Sequence, residues 1–172
     1  MRWLVLAALV VVILLMIQKP APLSGNTASA QELAEAAKSF DAKLMELEQA
    51  HANGTSSTTI EITEVELNGL IQRSSGQAPW IAMAGDEITG QFIAQPYGKD
   101  VYVTISARLS ADNGHLVVHP ARFKIGVMPI PATLADRFVQ KKLADPEMQD
   151  KMKLPDFIKN VRVENGKLVI GS

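Results

Sequence analysis

The sequence predicts an α+β fold: a curved antiparallel β-meander packed on helices, preceded by an N-terminal transmembrane or signal helix. Three observations carry this expectation. Apolar residues alternate along segments joined by two-residue turns at Gly85-Asp86, Asn113-Gly114 and Asn165-Gly166. Capping boxes at Ser29–Glu32 and Thr63–Glu66 open stretches of helical periodicity. Trp3 to Ile17 is an unbroken run of 15 apolar residues.

That run is the first element. Arg2 precedes it and Gln18-Lys19-Pro20 ends it. As a helix it spans about 22 Å, short of the ~30 Å hydrocarbon core, and Met1 with the stem of Arg2 extends it. Trp3 then lies at headgroup level. Three readings are open: an uncleaved anchor, a cleaved secretory signal, and a buried core helix. Ala28-Ser29-Ala30 has the small-x-small form of a cleavage site, but it lies far beyond the run, which favours the anchor. Both membrane readings export the rest of the chain. Arg2 and the terminal amine, set against Lys19, place the N-terminus in the cytoplasm. No cysteine follows the run, so a lipoprotein is excluded.

Residues 18–30 read QKPAPLSGNTASA, a flexible linker of small polar residues and prolines that reaches at most ~43 Å. The chain thus divides into a membrane or signal segment at 1–18, a linker at 19–30 and one α+β domain at 31–172.

The domain opens with a long helix running from the first capping box to about Ala52 and stopped by Asn53-Gly54. Leu33, Ala37, Phe40, Leu44, Leu47 and His51 form a narrow seam of period 3.5. It suits packing on the domain's own sheet, with His51 a wet boundary residue rather than a ligand. A homotypic coiled coil is the alternative. A strand follows at Thr59–Ile62. The second capping box then opens a short helix carrying Leu67, Leu70 and Ile71, ended by Ser74-Ser75-Gly76.

The meander can be registered from its turns. Gly85-Asp86 pairs Met83 with Ile88. The loop over 96–99 pairs Ala94 with Val101, Phe92 with Val103 and Ile88 with Ala107. Asn113-Gly114 pairs Ala111 with Leu116 and Leu109 with Val118. Continued unbroken, that register would set Arg122 opposite Ile105, a charge on the core face. One extra residue near His119-Pro120 restores Ile105 opposite Phe123, Val103 opposite Ile125 and Val101 opposite Val127. A β-bulge is expected there, since Pro120 cannot donate to the ladder. His119 is then a bulge residue rather than a base. Met128-Pro129-Ile130-Pro131 ends the strand. A helix from Pro131 to about Leu143 puts Leu134, Ala135, Phe138, Val139 and Leu143 on one face. A further turn or two starts at Asp145-Pro146-Glu147, and Leu154-Pro155 breaks it. The last hairpin pairs Val163 with Leu168 and Val161 with Ile170.

Composition narrows the function. The 172 residues carry a net charge of −1, which argues against nucleic acid. With no cysteine, and with His51, His115 and His119 scattered, structural zinc has no ligand set. There is no Gly-x-Ser-x-Gly elbow, phosphate loop or His-Glu-x-x-His, and no catalytic, cofactor or metal residue can be named. Asp86-Glu87 and Asp112 read as ordinary turn acids. The C-terminal region 120–172 holds ten Lys/Arg against six Asp/Glu. Lys141, Lys142, Lys151 and Lys153 there are either a solvated face or a basic patch for anionic headgroups. The apolar sheet face likewise has two readings, a closed core or an aliphatic groove suited to acyl chains.

The order of motifs is familiar. An N-terminal anchor precedes Thr63-Glu64-Val65-Glu66-Leu67-Asn68, then Phe123-Lys124-Ile125-Gly126, Pro129-Ile130-Pro131, Leu154-Pro155 and Leu168-Val169-Ile170. Over about residues 57–170 the chain resembles the YpmS-like membrane-anchored bacterial proteins, and more distantly the LmeA-like and other tubular lipid-binding (TULIP-like) envelope proteins. The resemblance implies a curved sheet wrapped on helices and a non-enzymatic lipid-handling role. It implies single-pass attachment to the bacterial inner membrane with the body in the periplasm or outside the cell. The expected groove is lined by Leu67, Leu70, Ile71, Val101, Val103, Ile105, Leu109, Phe123, Ile125, Leu134 and Phe138. A rival reading is an adaptor module of an envelope complex, binding a protein partner or a second copy through the helix at 31–52.

Overall fold

A computed structural model describes residues 18–21, 23, 28–55, 57–75, 80–95 and 98–172. The expected membrane segment at 1–17 lies outside them. Helix α1 (Ala30–Ala52) starts at the first capping box: the Ser29 hydroxyl accepts from the Glu32 N–H, and Glu32 accepts from the Ser29 N–H at 2.6 Å. Strand β1 (Thr59–Ile62) and helix α2 (Glu64–Ser75) follow. The meander comprises β2 (Trp80–Ala84), β3 (Glu87–Ala94), β4 (Val101–Asp112), β5 (His115–Ile125) and β6 (Met128–Ile130). Helices α3 (Ala132–Leu143) and α4 (Pro146–Lys151) lead to the hairpin β7 (Asn160–Glu164) and β8 (Lys167–Gly171).

The fold is α+β with antiparallel sheets, as the alternation and capping patterns predict. The meander is a five-stranded sheet in the order β2-β3-β4-β5-β6. Its expected pairs form, including Met83 with Ile88, Phe92 with Val103 and Ala111 with Leu116. The register shifts between Ser106 and Ala107. Ala107 faces Pro120 and Ser106 faces Arg122, so Ala121 is the extra residue. Phe123 thereby stays opposite Ile105 and Ile125 opposite Val103.

One detail differs from the expectation. The fourth meander strand does not run on to pair Val101 with Val127. The Gly126 N–H closes on the Tyr102 carbonyl at 2.7 Å, Gly126 adopts φ +59°, and the chain turns back into β6. Pro129 sits on that edge strand, where its missing N–H is tolerated. The C-terminal hairpin forms with the expected pairs, Val163 with Leu168 and Val161 with Ile170. It joins β1 in a second sheet, order β1-β8-β7. Alternation says which face a residue occupies but not which sheet its strand joins.

The second sheet packs on one half of the meander. Ile60, Ile62, Val161, Val163, Leu168 and Ile170 pack with Leu47 of α1 and Met83 of β2 in the main core. The seam of α1 serves this core: Ala37 and Leu47 are buried, while Phe40 and Leu44 pack at its margin. The exposed ring of His51 tilts against Phe157 at 6.4 Å, as expected for a boundary residue. Gly69 sets the approach of α2 to α1. A Cβ there would lie 2.2 Å from the Leu33 carbonyl oxygen, so only glycine permits this crossing.

Candidate functional site

The meander has one apolar and one polar face, and the apolar face is longer than the core that covers it. Opposed residues in the register share a face. The apolar face runs from Leu116, Ala111 and Leu109 at the turn end to Val101, Ala94, Phe92 and Ile125 at the loop end. At the turn end, Ile81, Met83, Ile88, Leu109, Ala111 and Leu116 pack on the main core. Towards the loop end a separate cluster forms on Val103 and Phe123, both buried. Ala94, Val101, Ile105, Ile125 and Ile130 are only partly covered around it.

Beside that cluster the face is open. Gly90 lies opposite Ile105, and a Cβ added to Gly90 would meet no atom within 4 Å. Phe92, one position along on the same face, is 47% exposed. Gly90, Ala94, Val101, Val103 and Ile105 thus share one apolar face, with Val103 covered, open space above Gly90 and Phe92 at its margin. This is a shape for an apolar chain: aliphatic walls, small residues and no charge on the floor.

The structure divides the residues expected to line a groove. Val101, Val103, Ile105, Phe123 and Ile125 are brought together in the loop-end cluster. Leu67 and Leu109 pack on the main core instead. Leu70 and Ile71 are half-buried on α2, and Leu134 of α3 is 58% exposed. The side chain of Phe138 lies outside those described. Gly90 was missed in the sequence because a missing side chain leaves no apolar signal.

The basic residues lie elsewhere. Lys153 bridges to His115 at the turn end of β5, and exposed Lys141 follows Gln140, which lines a recess beside His115–Val118. Both are at the opposite end of β5 from Phe123. The side chains of Lys142 and Lys151 are outside those described. The recess holds about 350 Å³ between β5, α3 and α4 and is lined in part by Leu116, Val118 and Met152.

The polar face offers little chemistry. Asp86 and Glu87 are taken up by arginines: Arg108 reaches Asp86 at 2.7 Å, and Arg122 pairs with Glu87. The turn acids therefore neutralise cations. His119 Nε2 hydrogen-bonds the Ser110 hydroxyl at 2.9 Å on the exposed face, adjacent to the bulge. Among the described residues no carboxylate pairs with the imidazole to orient it for nucleophilic catalysis, nor do three potential ligands group around a metal position.

No protein-family model matches the chain, and no curated protein matches it in sequence. Among the described residues, no helix is long and apolar enough to cross a membrane.

Proposed function

We propose that this chain is a membrane-tethered, exported, non-enzymatic domain that holds the acyl chain of a lipid on the loop-end half of its meander. The observation that carries this reading is the apolar face that outruns its own core, with open space above Gly90. The run Trp3–Ile17 and the YpmS-like order of motifs support the tether. The capping box supports an uncleaved anchor. Cleavage after Ala30 would cut away the Ser29 cap that α1 uses, at a cost of about 1 kcal/mol in helix stability.

The adaptor reading has less support, because the seam of α1 is turned inward onto the protein's own core.

The test is direct. Purified residues 28–172, which keep the Ser29 cap, should yield lipid by mass spectrometry on extraction with organic solvent, and the emptied protein should bind a fluorescent fatty acid. Gly90→Leu fills the open space without a positive φ to oppose it, so it should weaken fatty-acid binding at least several-fold while leaving the unfolding midpoint near that of the parent. Absence of both co-purifying lipid and fatty-acid binding would sink the proposal.

A further inference from the structure

The chain carries three Asn-Gly pairs, beginning at Asn53, Asn113 and Asn165, and all three asparagines are exposed. Asparagine before glycine is prone to spontaneous deamidation, because glycine has no side chain to shield its backbone nitrogen from the amide in front of it. That nitrogen is the nucleophile, and in two of the three pairs it is engaged. The Gly54 N–H donates to the His51 carbonyl at 3.0 Å, and the Gly166 N–H donates to the Gly85 carbonyl at 3.2 Å. Gly166 is also hemmed in, since an added Cβ would lie 3.3 Å from the Met83 carbonyl oxygen. Among the described residues the Gly114 N–H has no hydrogen-bond partner, and a Cβ there would meet no atom within 4 Å.

The turn sets the barrier. Asn113 has φ +49° and Gly114 φ +76°, the signature of a type I′ turn. As the mirror image of type I, this turn gives its first central residue a ψ of about +30°, which points the glycine nitrogen away from the asparagine side chain. Rotating the Asn113–Gly114 peptide converts the turn to type II′, with ψ of about −120° at that residue, and swings the nitrogen alongside Cγ. Gly114 then takes a negative φ, which a glycine adopts as readily. One contact resists the rotation. His115 Nδ1 lies 3.1 Å from the Asn113 carbonyl oxygen, and because a carbonyl only accepts, this ring nitrogen carries the proton. The imidazole is exposed, so the restraint is a single solvated hydrogen bond.

We infer that Asn113 is a self-modification site, converted to aspartyl and isoaspartyl forms while Asn53 and Asn165 are spared. The Gly114 nitrogen loses its proton and bonds to Asn113 Cγ, the Cγ–Nδ2 bond breaks, and ammonia leaves a succinimide. Water then opens the ring. Opening at Cγ gives aspartate, and opening at the backbone carbonyl gives isoaspartate. The reaction needs neither membrane nor ligand. Its product matters because this turn seats the chain that leaves α4. The Leu154 N–H donates to the Gly114 carbonyl and the Leu116 N–H to the Met152 carbonyl, both at 2.8 Å, and His115 bridges to Lys153. An isoaspartyl link adds a backbone carbon that a two-residue hairpin loop cannot hold in register. Modification therefore loosens Met152–Leu154 from β5, and with it the recess that His115 and Met152 line.

The test ages the full-length chain in detergent at neutral pH for days. Peptide mapping with electron-transfer fragmentation then separates asparagine, aspartate and isoaspartate at each pair. Conversion at Asn113 should run several-fold ahead of Asn53 and Asn165. In urea no glycine N–H is held, and the three rates should converge because the reacting dipeptide is the same. His115→Ala should quicken conversion at Asn113 and leave the other two unchanged. In the aged chain, the Leu116 and Leu154 amides should exchange several-fold faster while those of β1 and β8 keep their rates. Conversion at Asn53 or Asn165 that matches Asn113 in the folded chain overturns the assignment, as does conversion at Asn113 confined to urea. A His115→Ala rate at or below the parent's removes the imidazole as the restraint. Unchanged exchange at Leu116 and Leu154 after conversion overturns the coupling to Met152–Leu154.

Discussion

At the scale of single residues, Glu66 shows how a buried charge is kept. Its carboxylate is almost fully buried, yet it accepts from Ser39 Oγ, Lys43 Nζ, the Thr63 N–H and the Thr63 hydroxyl, all within 3 Å. Burial by itself pushes the carboxyl up. The hydrogen bonds from Lys43, Ser39 and Thr63 outweigh that and hold it down at about 2, below an ordinary 4.5. A folded-state pKa below the unfolded one means stability that is complete above the unfolded value and is lost as pH falls through the folded one. The amount is on the order of 3 kcal/mol, drained between about pH 4.5 and 2. Glu66→Gln keeps the shape but leaves Lys43 beside a neutral amide. It should lower the urea midpoint at pH 7, and its deficit against the parent should shrink steadily as pH falls towards 2. A deficit that is the same at pH 7 and pH 2.5 would remove the charge from the account. The Thr63–Glu66 capping box was legible in the sequence because it is local. Its partners on α1 were not, since nothing in a four-residue motif points to side chains 23 and 27 positions away.

At the scale of elements, α2 does more than bury a stripe. β2 is an edge strand, and its outer backbone groups would otherwise invite another chain to pair. Asn68 accepts from the Ile81 N–H at 2.9 Å and donates to the Ile81 carbonyl at 2.8 Å, as a neighbouring strand would. Glu64 accepts from the Met83 N–H at 2.8 Å. The helix thus seals the edge with side chains. Asn68→Ala strips both partners from Ile81. It should destabilise the domain by about 2–4 kcal/mol in urea unfolding, since each unpaired backbone group costs about 1–3 kcal/mol. It should also bring concentration-dependent self-association in sedimentation velocity, because the edge is reopened. A variant as stable and as monodisperse as its parent would show that the seal is dispensable. An asparagine within a helix carries no signal in sequence beyond a mild helix penalty, so this role was invisible. The strand registers were legible for the opposite reason. Period-two alternation and turn residues constrain each other so tightly that the Arg122 conflict alone located the bulge, which the structure places at Ala121.

At the scale of the whole molecule, the two ends of the meander are held unequally. The turn-end half packs its apolar face on one core, with buried side chains from α1, β1, β2, β7 and β8 in one cluster. Among the described residues, the loop-end cluster has Val103 and Phe123 as its buried side chains, ringed by partly covered neighbours and open above Gly90. Local opening follows buried apolar contact, so the loop-end half should open at lower free energy although its strands are continuous with the other half. In native-state hydrogen exchange, amides of residues 101–105, 123–125, 128 and 130 should exchange before those of 60–62, 161–163 and 168–170. The same asymmetry links stability to the proposed function. A ligand that lies on the floor of Gly90 and Val101 stabilises only the state in which that floor is formed. A fatty acid should therefore slow exchange in the loop-end half and leave the second sheet unchanged. Uniform protection before ligand, or uniform slowing after it, would mean that the meander opens as one unit with the core and that no separate apolar floor is available to bind.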